Sequence, residues 1–486
     1  MEKSLKKKVI SGMMWRFMER VLAQLVTFTV SIILARLLTP NHYGTISLTT
    51  IFIAIANVFV VDGLGKALIQ KKEIDNVDYS TVFFANIIFS MLIYAVIFLV
   101  APVIANFYKI PVLTSALRVL ALRIPLAAIN SVQHAYVSRN MQFKRYFWAT
   151  LSGTLTSAVV GIYMAYHGYG VWALVAQYLT NSFIDTIILW FTVKWRPNFI
   201  FSFERFKNMF KFGMHILTTS LFNTIYDNLR SLVIGKVYTT SDLAHYTKGQ
   251  YYPKLIIDNL NVTIGAVLYP AFSKMQDDKK RMKASLRKTI TLSTFIIFPL
   301  MYGLFAVAPD IVKLMLTDKW LPCVPYIRIA CIYFSLYHIN TANLQALIAL
   351  GESKTYVRLN VYKKAIGIIL LLISMPFGVI YMAFSEILTA IFAVLTNINA
   401  NKKHLKYTLK ELISDIRNSL IVTILMCASV IMVNPILSQI TNNLIIVLAI
   451  KIILGIIIYF GVAYCIKSKE LNMVISMLKE MRGKKD

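Results

Sequence analysis

Apolar positions along this chain come in long unbroken runs rather than in one-sided stripes. Stretches of about 20 residues with few charges recur from Val9 to Tyr464, each long enough as a helix to cross a hydrocarbon core of about 30 Å. A helix packed on a soluble core is apolar on one face only, and these runs are apolar all round. The pattern predicts an all-α polytopic membrane protein of about 14 transmembrane helices, with spans near 14–38, 44–66, 80–103, 113–137, 145–166, 170–193, 209–236, 243–269, 286–308, 323–349, 357–376, 378–398, 417–434 and 443–466. A transmembrane barrel would show short alternating segments instead.

Composition agrees and charge adds sidedness. Of 486 residues 57% are hydrophobic, yet the formal net charge is +29. Nucleic acid is not the partner this charge implies. The basic residues gather in alternate loops, such as "KSLKKK", "SRNMQFKR", "SKMQDDKKRMKASLRK" and "NKKHLKYTLK", while "TPNHY", "HGYG" and "TTSD" carry no lysine or arginine. That asymmetry is the positive-inside pattern and predicts cytoplasmic termini. The basic start "MEKSLKKKVISGMMW" resembles a signal peptide, but its apolar run is too long and no small-x-small site precedes Pro40, so an uncleaved first helix is expected. Cys323, Cys331, Cys427 and Cys465 form no CxxC pair and read as small core residues.

The chain repeats itself. At an offset of 200, "SIILARLLT" (31–39) lies over "SLVIGKVYT" (231–239), matching Arg36 with Lys236 and Thr39 with Thr239. At an offset of 210, Arg118 matches Arg328, "IN" 129–130 matches "IN" 339–340, and Lys144 and Tyr146 match Lys354 and Tyr356. Both offsets superimpose spans 1–6 on spans 7–12. An even number of spans keeps the copies parallel, as in transporters with parallel repeats. The expected organisation is an N-lobe at 1–193, a cytoplasmic linker at 194–208, a pseudo-symmetric six-helix C-lobe at 209–400, and two extra C-terminal helices with a polar loop and basic tail at 401–486.

The opening "SGMMWRFMERVLAQLVTFTVSIILARLLTPNHYG", ending in "LARLLTPxxYG", resembles the polysaccharide transport family of the MOP flippase superfamily, in particular its Wzx/WzxC-like exporters of lipid-linked oligosaccharides. The resemblance covers the layout of the whole chain. It implies a two-lobe fold with a central cavity, alternating access, and an undecaprenyl-pyrophosphate-linked glycan turned from the cytoplasmic to the outer leaflet. Membrane lipids are further partners, polysaccharide polymerase machinery an additional one, and a monomer is expected.

Ionisable groups inside a bilayer are costly, about 2.5 kcal/mol or more each on insertion scales, and so mark candidate sites. Arg16, Arg20, Gln24, Thr27 and Ser31 step by three and four along span 1, forming one stripe. The stripe is either a cavity wall offering guanidinium groups to an anion or a headgroup contact with Glu19 pairing locally. Arg118, Arg123, Asn130, Asn223, Arg230 and Lys254 complete the cationic-cavity candidates, Arg118 and Arg328 being equally readable as snorkelling to headgroups. Asp62, Asp227, Asp258 and Glu386 are ion-coupling candidates for H+ or Na+. The first three have Lys66, Arg230 and Lys254 three or four residues away, so self-neutralised pairs are the alternative. Glu386 has no such partner. Arg36 and Lys236 read as paired cations at the outer ends of spans 1 and 7.

No HExxH, Walker loop, GxGxxG or GxSxG is present, so no enzyme, no metal and no cofactor is expected. A MATE-like ion-coupled antiporter is the alternative within the superfamily, but it predicts an acid-dominated site. A membrane-embedded polysaccharide polymerase or ligase predicts a large outside loop, and "PDIVKLMLTDKWLP" is short. A bare scaffold has no use for so many intramembrane charges.

Overall fold

The computed structural model describes residues 2–71 and 73–483, without the side chains of 2–10, 62, 66, 438, 477, 478 and 481–483. It contains no strand among the described residues and divides into two compact units, Met1–Ala244 and His245–Asp486. The first unit holds α1 (Glu2–Leu37), α2 (Pro40–Asn57), α3 (Leu64–Gln70), α4 (Asn76–Tyr108), α5 (Val112–Leu120), α6 (Arg123–Arg139), α7 (Phe143–Tyr166), α8 (Val171–Thr192) and α9 (Phe203–Val237). A π-helical turn, Val58–Asp62, lies between α2 and α3. α10 (Thr240–Ser273) leads into the second unit, followed by α11 (Lys279–Leu316), α12 (Val324–Ser335), α13 (Tyr337–Ala349), α14 (Ser353–Ser374), α15 (Val379–Leu405), α16 (Leu409–Met432), α17 (Asn434–Ile440), α18 (Leu444–Cys465) and α19 (Lys469–Gly483).

Among the described residues, 13 helical segments are long and apolar enough to cross a membrane. α9 is the remaining long helix. Its His215, Asn223, Asp227, Asn228 and Arg230 make it too polar to join them, which accounts for the difference from the expected fourteen. The chain is a multi-pass membrane protein. Its outward faces are correspondingly apolar: Leu99, Val103, Phe191, Ile373 and Ile457 are exposed, as suits side chains bathed in lipid. Inside the first unit, Leu34, Ile53, Leu120, Ile124, Ala128 and Leu174 form the core. In the second unit Phe272, Leu286, Ile290, Ile339, Ala346 and Tyr407 do so. Cys323, Cys331 and Cys427 are buried free thiols, and Cys465 is exposed.

The Thr-Pro-x-x-Tyr-Gly motif is a helix start. Thr39 caps α2, with Pro40 at the first helical position, where its missing N–H costs nothing. The Thr39 N–H donates to His42 Nδ1 at 3.4 Å. At the repeat position, the Thr239 N–H and hydroxyl donate to Asp242 Oδ2 at 3.2 and 2.7 Å, and the Asp242 N–H donates back to Thr239 Oγ1 at 3.1 Å. Both are capping boxes. The two starts also touch: the Thr240 hydroxyl donates to Asn41 Oδ1 at 3.0 Å, and a Cβ on Gly44 would fall 1.8 Å from the Thr240 carbonyl oxygen. Only glycine fits there. Gly44→Val should therefore destabilise by about 3 kcal/mol, the upper part of the range for overpacking, read as a fall in the thermal midpoint of the detergent-purified protein.

The polar run 399–417 is almost entirely helical. α15 continues to Leu405 and α16 starts at Leu409, so the expected loop shrinks to Lys406–Thr408. Thr408 caps α16 with Glu411, and the charges find partners across helices. Arg287 of α11 meets Asp415 at 2.6 and 2.9 Å, and Lys283 meets Glu411 at 2.7 Å. Further along, Lys451 of α18 is buried, 2.5 Å from Asp310 of α11 and 2.6 Å from Asn434.

Candidate functional site

The first unit encloses a cavity of about 450 Å³ between α2–α3, α6, α7 and α8. The sequence makes it polar on an apolar background. On α6, Arg123, Asn130 and His134 project one to three turns apart along one side, while Ile124, Ala128 and Val132 enter the core. From Arg123 to His134 the helix rises about 16 Å, so the cavity is long. Asn181, Ser182 and Asp185 of α8 form the opposite wall.

At one end, Arg123 Nε donates to Ser182 Oγ at 2.8 Å, and the guanidinium lies 5.4 Å above the Tyr178 ring. Among the described residues its two terminal nitrogens have no hydrogen-bond partner, so they are available to a ligand. In the middle, Asn130 Nδ2 donates to Asp185 Oδ2 at 3.2 Å and to Thr186 Oγ1 at 2.9 Å. At the other end, His134 Nε2 is 3.7 Å from Asp185 Oδ2. The His134 ring stacks on Tyr146 at 4.8 Å, and the Tyr146 hydroxyl donates to the His134 carbonyl at 2.7 Å. Arg16 lies 5.0 Å over the same Tyr146 ring and pairs with Glu19 at 2.7 Å, whose other oxygen accepts from Thr150 at 3.1 Å. The site is therefore mixed in charge: two arginines, two carboxylates and a histidine.

Of the sequence candidates, the structure brings Arg123 and Asn130 into the cavity and Arg16 to its rim. Arg20 is exposed and Gln24 half-buried on α1. Arg118 is held elsewhere: its Nε donates to the Phe98 carbonyl at 3.1 Å and its guanidinium covers the Phe98 ring at 4.1 Å. Arg328 does the same with Phe305, at 3.4 and 5.2 Å, so both repeats use this arginine as a clamp on the neighbouring helix. Lys236 donates to the Phe107 carbonyl and lies 3.9 Å over that ring; Arg36 is exposed. Asn223 and Asp227 are exposed on α9 and Arg230 is half-buried there.

Lys254, exposed, and Asp258, half-buried, lie in the second unit, and no ion pair joins them among the described residues. Glu386 is buried between α10 and α15, accepting from the Tyr246 hydroxyl at 2.8 Å and from Gln250 Nε2 at 2.5 Å. The Asp62 side chain lies outside the described residues. No group of three or more metal-type ligands occurs among the described residues.

Sequence reasoning missed Asp185 and gave Tyr146 no part in a site, whereas the local pairing expected of Glu19 forms, with Arg16 at 2.7 Å. Asp185 carried a usable signal, a carboxylate inside the apolar run "NSFIDTIILW". Outside the apolar helices it also missed the cluster at Asp75. Arg205 sits 2.5 Å from Asp75, and its guanidinium holds that carboxyl below the usual carboxylate range. Beside it Lys71 pairs with Asp78 at 2.7 Å.

A family described as polysaccharide biosynthesis proteins matches residues 33–325, more than half of the chain. The chain belongs to that family. This polysaccharide biosynthesis protein is similar to the lipopolysaccharide biosynthesis protein WzxC of Escherichia coli K12, with 23% identity over 362 residues and 74% of each chain covered. Its fold is that of the lipid II flippase MurJ in an inward closed conformation, at a TM-score of 0.72 and 16% identity over 94% of this chain and 98% of the other. An inward-facing multidrug resistance MATE transporter of the MOP superfamily shares the fold at a TM-score of 0.63 and 14% identity, over 80% of this chain and 96% of that one. The matched family segment contains α2–α8, and so most of the cavity wall.

Proposed function

We propose that the protein is a flippase that moves a polyprenyl-pyrophosphate-linked oligosaccharide from the cytoplasmic to the outer leaflet of a bacterial cytoplasmic membrane, for surface polysaccharide synthesis. The observation that carries this reading is the cavity. Inside an apolar helical unit it keeps an arginine whose outer nitrogens have no protein partner, and such a group persists in a membrane protein when it serves a polar ligand. Family membership, the likeness to WzxC and the fold shared with a lipid II flippase support it.

The transport cycle is alternating access, with the lobes 1–193 and 209–400 rocking about the linker 194–208. Residues 401–486 are an appendage, and both termini are cytoplasmic, as the loop charges indicate. The working unit is a monomer that hands its product to polymerase machinery. Arg16, Arg20 and Arg230 serve the pyrophosphate along the path. H+ or Na+ drives the cycle, with Asp227, Asp258 and Glu386 as the coupling carboxylates. Glu386 is the first to test, because it is buried and accepts from the Tyr246 hydroxyl and the Gln250 amide. Glu386→Gln preserves shape and removes the charge. It should leave the thermal midpoint near wild type and make export insensitive to the ion gradient, measured with and without an ionophore.

A deletion strain tests the whole reading. Undecaprenyl-linked repeat units should accumulate on the cytoplasmic face while surface polysaccharide is lost. Unchanged surface glycan with raised sensitivity to cationic drugs would instead establish the antiporter.

A further inference from the structure

The cavity's hydrogen-bonding capacity says which part of a cargo it can hold. Asn130 is 6% exposed. Its amide orientation is fixed by chemistry: Asp185 only accepts, and Thr186 spends its hydroxyl proton on the Ser182 carbonyl at 2.6 Å, so the NH₂ must face both. That turns Asn130 Oδ1 away, and this buried oxygen has no hydrogen-bond partner. Asn57 Oδ1, on the α2 wall, is a second buried acceptor without a partner. The Asp185 carboxylate, with His134 beyond hydrogen-bond distance at 3.7 Å, adds further unused lone pairs. An unmet buried acceptor is costly, so two in one cavity, beside a half-buried carboxylate with lone pairs to spare, point to a ligand rich in donors.

A pyrophosphate is the wrong ligand for that wall. Fully ionised, it brings acceptors only, and its charge would sit against Asp185. Sugar hydroxyls are donors and acceptors at once. They can donate to Asp185, Asn130 and Asn57 and accept from the outer nitrogens of Arg123 farther along. A bare Na+ would also use oxygen ligands, but a space of about 450 Å³ has the size of a small-molecule pocket.

We infer that this cavity is a sugar-ring subsite, in which Asp185 and Asn130 accept hydrogen bonds from ring hydroxyls of the cargo glycan while the pyrophosphate lies elsewhere. The inference rests on the flippase reading and deepens it. Asp185 and Asn130 then act as residues that select the glycan rather than the lipid carrier.

The test uses the full-length protein in nanodiscs and two probes: the lipid-linked oligosaccharide extracted from the deletion strain, and undecaprenyl pyrophosphate without sugar. Asp185→Ala, Asp185→Asn and Asn130→Ala are compared with wild type, with thermal midpoints as the folding control. The alanine variants should bind the glycan lipid about tenfold more weakly, the loss of one charge-assisted or buried hydrogen bond, and bind undecaprenyl pyrophosphate within about twofold of wild type. Asp185→Asn, which keeps an acceptor, should fall between. Equal loss for both lipids, loss for neither, or a Na+-dependent stabilisation that the variants erase would overturn the subsite. A wild type that binds neither lipid would fail the flippase reading itself and take the subsite with it. Retained lipid-carrier binding with unchanged glycan binding in the variants fails the subsite alone.

Discussion

Arg123→Ala should abolish export of surface polysaccharide while the protein accumulates in the membrane at the wild-type level. The side chain makes one hydrogen bond to the protein, from Nε to Ser182, and one ring contact, with Tyr178. Its removal leaves no buried carboxylate alone, because Asp185 is partnered by Asn130. The structural penalty is therefore small. The functional penalty is large: a guanidinium bonding a polar ligand contributes about 1.5–3 kcal/mol for each hydrogen bond, and two terminal nitrogens are on offer. Two such bonds correspond to a loss of more than a hundredfold in occupancy. Arg123→Lys should recover only part of it, since an ammonium cannot hold Ser182 through Nε and reach the ligand with a planar fork. Surface glycan per cell, normalised to protein level, is the measurement.

The second large effect is on stability. Asp310→Ala should destabilise the second unit by about 3–5 kcal/mol, because it strands the buried Lys451 ammonium. Lys451 is 3% exposed and is held by Asp310 at 2.5 Å and by Asn434 at 2.6 Å. The double variant Asp310→Ala with Lys451→Met removes both charges and should regain most of the loss, as replacement of buried pairs by apolar residues often does. A thermal midpoint series on the purified variants checks the sign and the rescue. If the single variant is as stable as wild type, the pair does not tie α18 to α11.

These two residue sets also show what the sequence could and could not disclose. Helices that cross a membrane announce themselves, because twenty apolar residues in a row have few other uses, and the number and order of the long helices were legible. So were the repeat and its turn: Thr39 and Thr239 keep the same capping role because a helix start needs one whichever copy it lies in. Arg123 and Asn130 were legible as polar groups where polarity is expensive. What failed was the assignment of partners. The three- and four-residue rule sees only neighbours on one helix, and so it paired Lys254 with Asp258, where no ion pair forms. Arg16 with Glu19 obeys it, but other partners lie on other helices: Asn130 with Asp185, Asp310 with Lys451, Tyr246 with Glu386. Those distances are set by packing, which periodicity does not encode. The cavity's charge was misjudged for the same reason. Counting cations along the chain suggested a cationic wall, whereas Glu19 and Asp185 fold in beside Arg16 and Arg123 and make it mixed.

Purified protein in proteoliposomes, loaded on one leaflet with its lipid-linked oligosaccharide, tests the central claim most directly. A membrane-impermeant lectin or glycosidase reads how much glycan has reached the opposite face. The account predicts that wild-type protein delivers the glycan lipid across the bilayer well above protein-free vesicles and that Arg123→Ala does not exceed that background. Equal delivery with wild type, with Arg123→Ala and without protein would contradict it.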